Sequence, residues 1–156
     1  MRFTSIAKLT VLLALVLFFT PFVMVSCSDM GIEEEYTGMQ LITRSAEDSP
    51  FEGMEEMEKY DNYKSNYWLI GAFALGVVTL VVLFLKHASM LATITSLAAT
   101  ILLVVFRLTF VSFYKLEEVE KFIVIKTKWG YIACLLCMGL TAVLSFIEYR
   151  KEDRFY

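Results

Sequence analysis

A chain of 156 residues sets a prior of one domain, and its 58% apolar content exceeds that of ordinary soluble proteins. The net charge of −3 conceals an acidic block between Ser26 and Asn66, where Arg44, Lys59 and Lys64 alone oppose a run of carboxylates. That block excludes a nucleic-acid-binding surface, and three cysteines exclude a disulfide framework within one chain.

Met1 to Lys8 is short and basic at Arg2 and Lys8, and Leu9 to Val25 is apolar apart from Thr10 and Thr20. The pattern predicts a first membrane span over about 6–25. The competing reading is a signal peptide that is removed. Met24-Val-Ser-Cys27 places a small residue before a cysteine, as at a bacterial lipoprotein cleavage site. On that alternative Cys27 becomes the lipidated N-terminus of a protein with three spans. Met24 departs from the usual leucine, and Pro21-Phe22 lengthens the apolar run, so the retained span is the expectation.

Strand character is predicted at Val23–Ser28 and at Gly38–Thr43. TPFVMVSC, followed by the T-G-x-Q-L string Thr37 to Leu41, resembles a set of small bacterial four-span membrane proteins. The resemblance covers Thr20 to Leu41 and implies an architecture but no chemistry. More loosely, a first span leading into an extracytoplasmic strand is similar to claudin-type tetraspan proteins. This chain lacks their paired loop cysteines and tryptophan motif, so their function does not carry over.

Residues 44–66 are polar and acidic, broken by Pro50 and Gly53. Phe51, Met54, Met57, Tyr60 and Tyr63 recur every third residue, which on a helix gives one drifting apolar stripe. An acidic polar face is repelled by anionic lipid, so a loop helix packed on its own protein, or a mobile acidic linker, is expected, not a helix lying on the bilayer or on a partner.

Two apolar runs follow, WLIGAFALGVVTLVVLFL and ASMLATITSLAATILLVVF, separated by Lys86-His87. Each suits a hydrocarbon core of about 30 Å, and so short a link forces an antiparallel pair. Spans are predicted over about 67–85 and 88–110, with Tyr60, Tyr63, Tyr67 and Trp68 as an interfacial aromatic belt. Phe122–Thr127 is β-branched and strand-like. Trp129 opens a last span over 129–147, leaving extracytoplasmic loops at 26–66 and 111–128. Small residues recur every fourth position at Ala88, Ala92, Ser96 and Thr100, and again at Ala133, Cys137, Thr141 and Ser145. In lipid, such stripes let helix backbones approach.

The resulting expectation is an all-α membrane protein, an antiparallel four-helix transmembrane bundle under a small extracytoplasmic β cap. Basic flanks at Arg2, Lys8 and Lys86 and the basic tail place both termini in the cytoplasm, in the bacterial inner membrane. The second outer loop carries lysines too, so this rests on the first-span flanks and the short inner segments.

Chemistry-bearing motifs are sparse. Cys134-Leu-Leu-Cys137 has redox spacing and is similar to the C-x-x-C near the outer end of a late span in vitamin K epoxide reductase relatives. There the pair exchanges electrons with a quinone and with a second cysteine pair in the first loop. Here that loop offers Cys27 alone, and apolar surroundings disfavour the reactive thiolate. Membrane thiol oxidoreductase chemistry at Cys134 and Cys137 is therefore the alternative, and small packing residues the expectation. No cofactor and no metal site are expected. His87 stands far from the cysteines in sequence, and Glu33-Glu34-Glu35 lacks the interspersed Asn and Gly of a calcium loop. Arg107 is the one charge well inside apolar sequence, a functional candidate by default, expected to snorkel to the headgroups or to pair with a carboxylate such as Asp61. The reading is a non-enzymatic structural or interaction protein of the envelope. Its partners are the lipid bilayer and another envelope protein at the acidic first loop.

Overall fold

The computed structural model describes residues 3–27, 32–43, 67–85, 89–114 and 123–152. Their order is α1 (Phe3–Leu17), β1 (Pro21–Cys27), β2 (Ile32–Thr37), α2 (Gly38–Thr43), α3 (Tyr67–Val82), α4 (Ser89–Tyr114), β3 (Ile123–Thr127) and α5 (Trp129–Glu152). The fold is mostly helical, with one three-stranded sheet of order β2-β1-β3. The stripe from Phe51 to Tyr63, Asp61, His87, the stretch 115–121 and the side chain of Cys27 lie outside the described residues.

Among the described residues, two helices are long and apolar enough to cross a membrane, over Ser89–Thr109 (21 residues) and Trp129–Lys151 (23 residues). The apolar helices α1 and α3 are shorter. The expected helix over 6–25 is corrected by the structure: α1 ends at Leu17 and the chain continues as β1. The backbone N–H groups of Phe18, Phe19 and Thr20 bond to the carbonyls of Leu15, Val16 and Leu17, at 3.2, 3.0 and 3.0 Å. Such a tightened turn commonly ends a helix. Thr20 Oγ1 donates to the Leu17 carbonyl at 2.6 Å, and Pro21 has no N–H with which to continue. The β-branched Val23 and Val25 then suit a strand.

The expected strand at Gly38–Thr43 is the helix α2 instead. Thr37 Oγ1 accepts from the Gln40 N–H at 3.1 Å, and Gln40 Oε1 accepts from the Thr37 N–H at 2.9 Å. This reciprocal pair is a capping box, which starts a helix. The strand lies just before it, in IEEEYT. Three consecutive glutamates argue against a central strand, but an edge strand tolerates charge. β1 lies in the middle and pairs antiparallel with both neighbours, Met24 standing between Glu35 and Lys126.

The helices pack α1 on α5, α5 on α4 and α4 on α3, with a lighter contact of α1 on α3. The buried positions explain the arrangement. On α4 they are Ser89, Ala92, Ser96, Ala99, Leu103 and Phe106, and on α5 they include Tyr131, Cys134, Met138, Thr141 and Ser145. Both series step alternately by three and four residues. Helices with that seam pack nearly (anti)parallel, about 20° off, with one side chain filling the gap between four others.

The sheet joins the helical part through a tight corner at Phe18–Phe22. The Phe18 carbonyl accepts the Met39 N–H and the Phe22 carbonyl the Lys128 N–H, each at 2.9 Å. A Cβ on Gly130 would collide with Thr20 Oγ1 and stand 2.6 Å from the Pro21 carbonyl oxygen. A Cβ on Gly139, in the same helix, would meet nothing within 4 Å. Gly130→Ala should therefore destabilise the protein by roughly 1–3 kcal/mol, as overpacking does. Gly139→Ala should be neutral or stabilising by up to about 1 kcal/mol, since glycine weakens a helix interior. Denaturant unfolding of both variants in detergent checks the contrast.

Candidate functional site

Each of the three larger helix interfaces carries a hydrogen bond between helices. Thr10 and Thr141 join α1 to α5 through their hydroxyls at 2.8 Å. Thr79 donates to Thr95 at 2.9 Å between α3 and α4. The Tyr131 hydroxyl of α5 donates to the Leu103 carbonyl of α4 at 2.8 Å. Thr10 also reaches the Ala7 carbonyl, and Thr141 the Cys137 carbonyl at 2.8 Å. Two hydroxyl protons thus serve three contacts, and either hydroxyl can donate in the bond between the helices. Ser145, 1% exposed, places its Oγ without a partner among the described residues.

Small expected positions fall inside as predicted on α4, where Ala92 and Ser96 are fully buried, and at Thr141 on α5. Ala133 and Cys137 are half-buried beside the seam. The residue at the centre is Cys134, a member of the three-and-four series that a strict four-residue spacing passes over.

Both thiols of Cys134 and Cys137 are free. Cys134 Sγ donates to the Ala14 carbonyl of α1 at 3.5 Å, so it serves a helix contact from a fully buried position. Cys27 ends β1, its backbone registered with Ile32 on one side and Ile123 on the other. Among the described residues no group of three His, Cys, Asp or Glu comes together as a metal would require.

Arg107 is exposed on α4, about one turn beyond Leu103. Near it lies an aromatic layer between helices and sheet. Phe18 meets Phe22 and Phe73 with ring centroids 5.1 Å apart, and Tyr131 meets Phe22 edge-on at 5.8 Å and Phe106 at 6.2 Å. Such arrangements add about 0.5–1.5 kcal/mol per pair beyond area burial. Above the layer, Lys128 Nζ pairs with Glu35 Oε1 at 2.7 Å. Both groups are partly exposed, so the contact is worth little in stability and mainly holds alignment. Sequence spacing could not find this pair, because it depends on β1 lying between β2 and β3.

What this arrangement can do chemically is hold helices and cap in register. A double-mutant cycle of Thr10→Val and Thr141→Val should give a coupling of about 0.6 kcal/mol in unfolding experiments, typical of hydroxyl pairs between membrane helices. Ala92→Leu should cost more, roughly 1–3 kcal/mol, because it adds bulk at a fully buried position.

No protein-family model matches this chain, and no curated protein matches it significantly.

Proposed function

We propose that this chain is a four-span protein of the bacterial cytoplasmic membrane, a structural or interaction protein and not an enzyme. Its helices form an antiparallel bundle, its sheet lies outside the cell, and its acidic first loop is the surface offered to another envelope protein. One observation carries the membrane reading: hydroxyl side chains are buried between the helices while many large apolar side chains cover their outer faces. Thr79, Ser96 and Thr141 are fully buried, while Leu9, Val81, Phe84, Leu97, Leu108 and Leu136 are 50% exposed or more. In water that surface would drive aggregation. In hydrocarbon it is the solvated face, and the hydroxyls bond to their own helix or to a neighbouring one because nothing outside can receive them.

Three further features support it. Tyr67, Trp68 and Trp129 are exposed where α3 and α5 begin, at the end that carries the sheet, as an interfacial aromatic belt would be. With the turns that follow them, α1 and α3 reach Thr20 and Leu85, close to the about 30 Å of a hydrocarbon core. Lys8, Arg150 and Lys151 lie at the opposite end, the cytoplasmic one by the positive-inside rule.

In a background without native cysteines, Ser45→Cys should react with an impermeant thiol reagent on intact cells and Glu152→Cys only after lysis. The reverse pattern would overturn the orientation. Mass spectrometry of the mature chain should find Cys27 without lipid. A diacylated Cys27 at the N-terminus would replace this reading with the three-span lipoprotein.

A further inference from the structure

At the end of the helices away from the sheet, two cations stand on aromatic faces. Lys8 Nζ of α1 lies 4.3 Å from the centroid of Phe84, which follows α3. Arg150 Cζ of α5 lies 5.9 Å from the centroid of Phe146. Both rings are exposed, Phe84 at 69% and Phe146 at 47%. Neither pair is a buried structural contact.

The two pairs lie at nearly one height. Thr10 and Thr141 touch, and a Cβ on Gly76 would stand 3.1 Å from Leu15, which fixes the levels of α1, α3 and α5 against each other. At 1.5 Å per residue, Phe84 lies about 4.5 Å beyond the level of the threonine pair and Phe146 about 7.5 Å beyond it. Helical side chains lean toward their own N-terminus. Lys8 on α1 therefore reaches outward, and Arg150 on the oppositely directed α5 reaches back. From different starting depths the two cationic heads arrive together at the level of the rings. The flanking surface is apolar, with Leu85 and Leu9 both exposed. In the chain, Arg2 precedes α1 and Lys86 follows Leu85. Glu148 and Glu152 share the last turns of α5, so the cation–ring pairs and not a large net charge mark this level.

We propose that Lys8 and Arg150 bind the phosphodiester headgroups of anionic glycerophospholipids, with the Phe84 and Phe146 rings seated at the top of the acyl region. The inference rests on the membrane reading above. A cation over an aromatic face keeps its outer donors free for a phosphate. At the opposite end, among the described residues, Lys128 is engaged by Glu35, and Glu33 and Glu35 are exposed.

The test is native mass spectrometry of the full chain released from nanodiscs holding equal amounts of phosphatidylglycerol and phosphatidylcholine. The wild-type chain should retain phosphatidylglycerol in clear excess. Lys8→Gln and Arg150→Gln should each lower the retained ratio about fivefold, the worth of one cation near an anionic surface. Lys8→Arg and Arg150→Lys should keep the ratio, and so should Arg107→Gln at the other end. Equal retention of both lipids by the wild-type chain would overturn the proposal. So would an effect of Arg107→Gln as large as that of Lys8→Gln, or displacement of the lipid by millimolar inorganic phosphate. A chain that does not enter nanodiscs of phosphatidylcholine alone would defeat the membrane reading itself. Entry without lipid preference defeats only the headgroup site.

Discussion

The corner from Phe18 to Phe22 is where helices and sheet are made to fit, and most of the remaining geometry depends on it. Its carbonyls at Phe18 and Phe22 hold α2 and the start of α5, and its two rings begin the aromatic layer. Glycines stand where those elements approach. A Cβ on Gly38 would lie 3.0 Å from the Phe18 carbonyl oxygen and from the Phe18 and Phe22 rings, and Gly130 has no room for one at all. The T-G-x-Q-L string acquires a physical meaning here. Thr37 and Gln40 start α2, Gly38 lets it approach the corner, and Leu41 is buried beneath it.

The helices below obey a different constraint. Small residues such as Ala92, Ser96 and Thr141 alternate with Leu103, Phe106, Tyr131 and Met138 along the buried three-and-four seams, while other large apolar side chains point away. Close backbone approach and hydroxyl bonds at the small positions add to the packing of the large ones. Cys134 belongs to this scheme, a small side chain at a helix crossing whose thiol bonds a neighbouring carbonyl. Cys137, one turn further along α5, is half-buried beside it.

The helical character, the apolar runs and two of the three strands were legible in the sequence, because long uniform runs and β-branched clusters are strong local signals. Gly38–Thr43 misled for a definable reason. Its apolar alternation suggested a strand, whereas the capping residues at Thr37 and Gln40, three apart, carried the decisive information. Ile32–Thr37 was hidden because its strand state comes from pairing with β1 and not from its own glutamates. The end of α1 was misplaced because hydrophobicity continues without a break through Phe22 to Val25, and only Pro21 marks the change. Of the candidate residues, Cys134 is buried at a helix contact and Cys137 is half-buried. The Lys8–Phe84 pair could not be seen, since the two meet only once α1 and α3 are side by side, whereas Phe146 and Arg150 stand four apart on α5 and are neighbours by spacing alone.

The order of strands carries a consequence for how the chain is made. The middle strand, β1, emerges early and finds β2 within a few residues, but its other neighbour lies about a hundred residues further along. Until Ile123–Thr127 has been synthesised, one row of β1 backbone donors and acceptors has no native partner. That row is a template for any extended segment nearby. The third strand therefore does more than widen the sheet. Its arrival sets the moment at which the growing sheet ceases to be open to strangers.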